Sequence, residues 1–349
     1  MNYQKFIYVN DTRTQTNWGC YSTSECFEKF FQDNELECKY RIMLKVLHNA
    51  NSTKKLIDTF DLDDIDLVIV NGEGSIYDKQ RKGLNICNAI NWLKDKKPEL
   101  KVFFLNSTYD LKNSVMTEYI KSVEGNVDLF AAREKFSIDK MKSVGIDNVI
   151  LQPDFLYGVD RVDIGHEDYI VIGGNSNYNR GDRPKYNATD AYYKLINEIK
   201  HKFNNDIILY TSDTNDFRIM NPLAKHFNLR HIKVKTCNWK DALKILASAK
   251  LSISGRYHPS IMSVIGNTPS YFISANNCKM EGTCQLVYNN LDNFTNSHKL
   301  GVDVDKIVNW MESCFDNYDE EVDKVASGLN YCTNALHSAK NLIINEIKK

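Results

Sequence analysis

Short apolar, β-branched runs alternate along this chain with segments long enough to form helices, and that alternation narrows the fold more than any other feature. In the first half the predicted strands are Lys5–Asn10, Tyr40–Leu47, Leu67–Asn71, Lys101–Asn106, Leu129–Ala131 and Val149–Leu151. Helix-length segments such as Ser22–Phe31, Gly83–Lys94 and Glu134–Val144 separate them. Strands that alternate with helices in this way belong to a parallel sheet covered by those helices. The pattern loosens after Asp154–Gly158 and then restarts. Tyr169–Ile172 runs into Gly173-Gly174-Asn175, and a polar stretch spans Ser176 to Asn187. Helix Asp190–Phe203, strand Ile207–Tyr210, helix Phe217–Phe227, strand Ile232–Val234, helix Trp239–Ala247 and strand Leu251–Ser254 follow.

The expected fold class is therefore α/β: two facing doubly wound, Rossmann-like domains in a GT-B-like arrangement, with a C-terminal helix. A chain of 349 residues suits two domains of roughly 100–200 residues each. The expected boundaries are 1–160 for an acceptor-side domain, 161–315 for a donor-side domain and 316–349 for a helical tail. Val322, Val325, Leu329, Leu336 and Ile343 keep helical spacing in that tail, which either packs back across both domains or forms a solvated cap. Open parallel sheets bind ligands beyond the carboxyl ends of their strands, so loops at those ends are where chemistry is sought.

Composition removes several function classes. Forty-four Lys and Arg stand against 45 Asp and Glu, for a net charge near −1, so no bulk electrostatic attraction to nucleic acid is expected. Nine cysteines, an odd number with no CxxC pair, point to reduced thiols in a cytoplasm rather than to a zinc site or a disulfide framework. The apolar run near the N-terminus stops at Asn10-Asp11, too early for a signal peptide. No apolar stretch approaches the roughly 20 residues of a membrane span, which leaves room for peripheral docking on the inner face of a membrane.

The sharpest local cluster is Ser254-Gly255-Arg256-Tyr257-His258-Pro259. A strand ends there and Pro259 opens a short helix, which Gly266-Asn267 closes ahead of Pro269. Arg256 and His258 thus fall at a strand's carboxyl end and a helix's amino end, where N–H groups and the dipole favour an anion. Arg256 offers a bidentate fork for phosphate or carboxylate, and His258 offers proton transfer near neutral pH. The competing reading is an exposed arginine beside a histidine that caps its own helix. Lys279 follows the next strand, Ser270–Ser274, and either holds a phosphate or is a solvated lysine.

In the first half Val68-Ile69-Val70 leads into Asn71-Gly72-Glu73-Gly74-Ser75. Glycines let a ligand approach the backbone, Asn71 and Ser75 can hydrogen-bond it, and Glu73 suits a base near an acceptor sugar. Asn17-Trp18-Gly19-Cys20 follows the first strand. Trp18 either stacks on a sugar or packs in a core. Arg133, after Leu129–Ala131, either reaches a ligand or pairs with Asp154 or Glu134.

Taken in order, several segments resemble the polysaccharide pyruvyl transferase family. They are Asn17-Trp18-Gly19, Gly72-Glu73-Gly74-Ser75, Ala132 to Ser137, Gly145-Ile146, Pro153-Asp154, Ser254 to His258, Gly266-Asn267-Thr268-Pro269 and Lys279. The resemblance runs from about Asn10 to Gly282, and the Arg-Tyr-His segment is its most specific piece. Two positions depart from the family pattern: Glu73 stands where a third glycine is usual, and Cys20 where an aspartate is usual. The resemblance implies transfer of pyruvate from phosphoenolpyruvate to a sugar as a ketal, within surface-polysaccharide synthesis. It implies donor binding by Arg256, Arg133 and Lys279, and His258 as general acid; Gly173 and Asn175, at the end of a predicted strand, are further expected donor contacts. It implies acceptor binding by Asn17, Trp18, Asn71, Gly72, Gly74 and Ser75, and a glycan or lipid-linked sugar as partner. No cofactor or metal is required, since cationic side chains neutralise the phosphate. The alternative is a GT-B glycosyltransferase with a nucleotide-activated sugar, notably a CMP-linked ulosonic acid, whose nucleotide would lie near Gly173–Asn175 and Tyr210–Asp213. A non-catalytic glycan-binding protein on the same fold is a third reading.

Overall fold

The computed structural model describes residues 4–162, 165–176 and 186–349. Of the polar stretch from Ser176 to Asn187, residues 177–185 lie outside the described residues. The chain divides into two compact units, the first made of Met1–Gln15, Thr23–Gly158 and Thr333–Lys349, the second of Thr16–Ser22 and Val159–Cys332.

The first unit is built on six strands: β1 (Gln4–Asp11), β2 (Leu36–Met43), β3 (Leu67–Tyr77), β4 (Lys101–Asp110), β5 (Leu129–Ala132) and β6 (Val149–Leu151). They pair in the order β2-β1-β3-β4-β5-β6, every pair parallel. Helices α1 (Trp18–Asp33), α2 (Ala50–Asp58), α3 (Arg81–Lys96), α4 (Ser114–Ser122) and α5 (Lys135–Ser143) make the connections. Side chains of β1 and β3 alternate between two cores. Ile7, Val9, Val68 and Val70 enter one with Ile86 and Ile90 of α3; Phe6, Tyr8, Leu67 and Ile69 enter the other with Phe27 and Phe31 of α1. Burial on both faces explains why these strands read as continuous apolar runs.

The second strand departs from the expected Tyr40–Leu47. Its pairing with β1 runs from Gln4↔Leu36 to Asp11↔Met43, and the apolar residues beyond it, Val46 and Leu47, turn into a short 3₁₀ helix that sends Leu47 into the core. An apolar run identified burial there, not extension.

The second unit repeats the plan with β7 (Glu167–Asn175), β8 (Asp206–Thr211), β9 (Arg230–Lys233), β10 (Ala249–Gly255), β11 (Ser270–Ile273) and β12 (Phe294–Thr295). Their order is β12-β11-β10-β7-β8-β9, again parallel throughout. Helices α6 (Ala188–Lys202), α7 (Phe217–His226), α8 (Trp239–Ala247), α9 (Tyr257–Ile265), α10 (Lys279–Tyr288) and α11 (Val304–Asp316) accompany them.

The last helix, α12 (Tyr318–Lys348), is continuous for 31 residues. Its portion up to Cys332 is counted with the second unit and the remainder with the first. In the first unit Ile343, Ile344 and Ile347 join the core containing Phe6 and Tyr8, and Gln4 Nε2 donates to Ile347 O at 3.0 Å. Among the described residues no helix is long and apolar enough to cross a membrane.

Both sheets contain a point where strand order reverses, between β1 and β3 in the first unit and between β7 and β10 in the second. At such a point the flanking crossovers leave on opposite faces of the sheet, which opens a crevice at the strands' carboxyl ends. Topology alone therefore marks two places to look.

Candidate functional site

In the second unit the reversal falls where Gly174 and Asn175 end β7 and Gly255 ends β10. The strands approach so closely there that a Cβ on Gly255 would lie 2.2 Å from Asn175 Cβ. Arg256 follows at the N-cap of α9. Its Nε donates to Asp216 Oδ1 at 3.0 Å and its Nη2 to the same oxygen at 2.5 Å. Asp216 is 0% exposed against 13% for Arg256, and Asp213 Oδ1 lies 3.9 Å from Nη2. A guanidinium clamped in this way is held in one orientation, and a large part of its charge is answered from inside the protein.

His258 is half-buried on the first turn of α9, its ring edge-on to Tyr257 at 5.0 Å. The imidazole rests against the backbone of Gly19, where a Cβ would lie 1.9 Å from Nδ1. The segment that carries Gly19, Thr16–Ser22, is part of the second unit and is held within it by several hydrogen bonds. Trp18 N donates to Ser212 O at 3.2 Å, Trp18 Nε1 to Cys237 O at 2.8 Å, and Asn17 Nδ2 to Asp213 Oδ2 at 2.9 Å. Asn17 Oδ1 in turn accepts from Gly19 N at 2.8 Å. Asn17-Trp18-Gly19 is thus part of the Arg256 site, although it was expected on the acceptor side. Trp18 is 0% exposed, with its ring 6.1 Å from that of Tyr210, so it packs in the core and stacks on no sugar.

Asp213 and Asp216 were not identified as partners of Arg256 from the sequence, because both lie in a turn forty residues upstream of it. The Gly174 position carried a signal: a Cβ there would lie 2.7 Å from Asp216 Oδ1. Burial pushes the Asp213 carboxyl upward, but the Arg256 charge and hydrogen bonds from Asn215 and Asn17 outweigh it and hold the group below its ordinary range. Tyr210 OH donates to Ser254 Oγ at 2.5 Å, and the same oxygen accepts from Arg256 N at 2.9 Å.

Two expected donor contacts do not face a ligand. Gly173 has the Tyr210 ring over it, 2.1 Å from where a Cβ would be. Asn175 is fully buried, and its Nδ2 donates to Tyr186 Oη at 2.7 Å and Tyr192 Oη at 3.2 Å. Both residues shape the end of β7 from within. Lys279 opens α10 just beyond β11, the parallel neighbour of β10. Its Nζ donates to Asn276 Oδ1 at 2.7 Å.

In the first unit the reversal falls at Asn10-Asp11 and Asn71-Gly72-Glu73. Three adjacent strands turn left-handed here, with φ of 67° at Asn10, 44° at Glu73 and 54° at Asn106. Such backbone costs roughly 1–2 kcal/mol for a side chain like glutamate, and strained residues concentrate at ligand sites. Glu73 Oε1 accepts from Thr12 Oγ1 at 2.7 Å and Asn71 Nδ2 at 3.2 Å. The carboxylate is half-buried and aimed by two neighbours.

Around it, most of the expected acceptor contacts turn inward. Asn71 is buried and accepts from Asn106 Nδ2 at 3.2 Å. Gly72 is buried too, because a Cβ there would lie 2.3 Å from Ser107 Oγ. Ser75 is buried, and its carbonyl lies 2.5 Å from where a Cβ on Gly83 of α3 would sit. Glu73 and Gly74 remain half-buried. Arg133, expected at the donor, is 1% exposed; its Nη1 binds Asp154 Oδ2 at 3.0 Å and its Nη2 binds Thr108 Oγ1 at 2.8 Å. It is an internal ion pair.

The family model for polysaccharide pyruvyl transferase matches residues 1–277. No curated protein sequence matches the chain. Among solved structures the chain is similar to the UDP-GlcNAc 2-epimerase of Neisseria meningitidis bound to UDP-GlcNAc, with TM-score 0.64 and 11% identity over 98% of this chain and 100% of that one. It is also similar to the S. aureus MnaA–UDP structure, with TM-score 0.63 and 12% identity over 99% and 96%. A trehalose 6-phosphate synthase from Burkholderia multivorans gives TM-score 0.63 and 7% identity over 99% and 98%. Identities this low show the fold alone, which is that of GT-B glycosyltransferases and epimerases.

Proposed function

We propose, from the premise that this chain belongs to the polysaccharide pyruvyl transferase family, that it transfers pyruvate from phosphoenolpyruvate to two hydroxyls of a sugar in surface-polysaccharide synthesis. The observation that carries the reading is the pairing of Arg256 and His258 at the carboxyl end of β10. Buried Asp216 fixes the guanidinium, and Gly19 seats the imidazole. Donors held in place before the reaction stabilise developing charge without reorganising.

In this reading Arg256 binds the donor's carboxylate or phosphate, and Lys279 adds a point charge from the neighbouring strand end. His258 gives a proton to the methylene carbon while one sugar hydroxyl adds to the enol carbon. Phosphate departs with the electrons of its C–O bond, and the second hydroxyl closes the ketal on the same carbon. Of the two hydroxyl protons, one restores His258 and the other leaves with phosphate. The base proposed for a sugar hydroxyl is Glu73. The reading carries with it a cytoplasmic location, peripheral at the membrane where the acceptor is lipid-linked.

A thermal-shift panel with phosphoenolpyruvate, UDP, GDP, CMP and CMP-linked ulosonic acids tests it. A ligand at about 100 times its Kd stabilises the folded state by roughly 2.7 kcal/mol. The expected outcome is a shift with phosphoenolpyruvate that Arg256→Lys diminishes. A shift with a nucleotide and none with phosphoenolpyruvate would replace this reading with a glycosyltransferase that uses the same arginine.

A further inference from the structure

The first unit carries an open surface cavity of about 370 Å³ that shares no residue with either reversal point. It lies within the range of roughly 300–1,000 Å³ typical of small-ligand pockets. Its wall is made by His48, Asn49, Ala50, Asn51, Arg81, Leu84, Asn85, Asn88 and Tyr119. The chemistry of that set is one-sided. It holds four primary amides, one arginine, one histidine and one tyrosine, and no carboxylate at all.

Primary amides both donate and accept, which suits a ligand dense in hydroxyls. Buried Asn85 and the capping oxygen of Asn49 are engaged inside the protein, so Asn51 and Asn88 are the amides assigned to the ligand. The amides are partly set in place beforehand. Asn85 Nδ2 donates to Leu47 O at 2.8 Å, and Asn88 Nδ2 donates to Asn85 Oδ1 at 3.3 Å. Tyr119 and Leu84 supply the apolar surface against which a sugar ring packs. The walls also include the first residues of two helices. Asn49 caps α2 through a bond from Ser52 N at 2.9 Å, whereas Gln80, which precedes Arg81 at the start of α3, makes no side-chain cap. Positive helix ends and a guanidinium, with no acid opposing them, favour a negative charge on the ligand.

The helix start that walls the cavity packs on β3. Gly83, between Arg81 and Leu84 on the first turn of α3, packs directly on the carbonyl of Ser75.

We infer that this cavity is a carbohydrate subsite for a sugar that bears a carboxylate or a phosphate, with Arg81 holding the anion and Asn51 and Asn88 holding the hydroxyls. The inference goes beyond the donor chemistry proposed above, and its test reads binding alone, so the two can fail separately.

Protein-observed NMR titrations of the full chain with glucuronate, glucose 1-phosphate, glucose and inorganic phosphate provide that test, at concentrations on the order of 10 mM. The expected result is binding of glucuronate or glucose 1-phosphate, and whichever binds more tightly identifies the anion. Glucose and inorganic phosphate alone should each bind at least about tenfold more weakly. Arg81 is exposed, so Arg81→Gln leaves the fold intact and should weaken the anionic sugar about 10- to 100-fold. Asn88→Leu should weaken it as well, while inorganic phosphate stays where it was. The inference is overturned if neither anionic sugar binds, if Arg81→Gln leaves their affinity unchanged, or if phosphate alone binds as tightly as the sugar phosphate.

Discussion

Adding one methyl group at Gly19 should disable His258 without touching it chemically. The new Cβ would stand 1.9 Å from Nδ1, 2.5 Å from Cγ and 2.8 Å from Cε1 of the imidazole. Carbon contacts settle near 3.5–4.0 Å, so the ring has to retreat by about 1.5 Å. A misplacement of about 1 Å at a reacting group costs roughly a hundredfold in rate, or about 2.7 kcal/mol of barrier. Folding should suffer little, because Gly19 lies in the first turn of α1 with no left-handed φ. Alanine also restores up to about 1 kcal/mol of helix preference. The assay is phosphate release from phosphoenolpyruvate in the presence of acceptor, run on Gly19→Ala, His258→Ala and the double variant. If Gly19→Ala acts through the ring, it adds almost nothing in the His258→Ala background. Wild-type turnover in Gly19→Ala, or an undiminished hundredfold loss in the double variant, would refute the geometry or the role given to His258.

Arg133→Ala should cost roughly 3–5 kcal/mol of stability, since it strands Asp154 in the interior, yet leave donor affinity unchanged. Urea unfolding beside a donor titration separates the two, and a selective loss of affinity would return Arg133 to the ligand. Glu73→Gly removes left-handed strain of about 1 kcal/mol, so its thermal midpoint should hold or rise. Its turnover should nonetheless fall about 10²–10⁴-fold if the carboxylate is the base, and unchanged turnover would dismiss it. Burial, assisted by the Lys233 charge, lowers the His231 pKa to about 4. The unfolded chain therefore binds a proton more readily, and stability is full above about pH 6.5 and declines as pH falls toward 4. NMR titration of the ring checks the value, and His231→Gln should flatten the decline; an ordinary imidazole titration would remove the effect.

The sheets were legible because each parallel strand is buried on both faces and announces itself as an apolar run. Edge strand β2 was misplaced for the same reason, since Val46 and Leu47 are buried but turn away from the ladder. Strand order was not legible, because pairings such as β7 with β10 join residues some eighty positions apart. With order went the places of the reversal points. The Arg256-Tyr257-His258 segment stood out because one short stretch holds both a strand end and a helix start. Its counterion did not, because Asp216 reaches Arg256 only through the β8 connection. Asn71 and Asn175 misled for a common reason. Polar residues after a strand suggest a ligand, but here they satisfy buried backbone and one another, which any crowded set of carboxyl ends requires.

The last helix has a consequence for how the molecule comes into being. A ribosome releases β1 long before α12, yet the core face of that strand also needs Ile343, Ile344 and Ile347, which emerge more than three hundred residues later. Domains usually settle in the order in which they are made, but here the earliest unit cannot be finished early. For most of its synthesis it holds a surface meant for isoleucines that do not yet exist. The nascent chain should therefore remain a client of holding chaperones until Ile343–Ile347 have emerged, and cutting off residues 333–349 should harm the unit that holds β1.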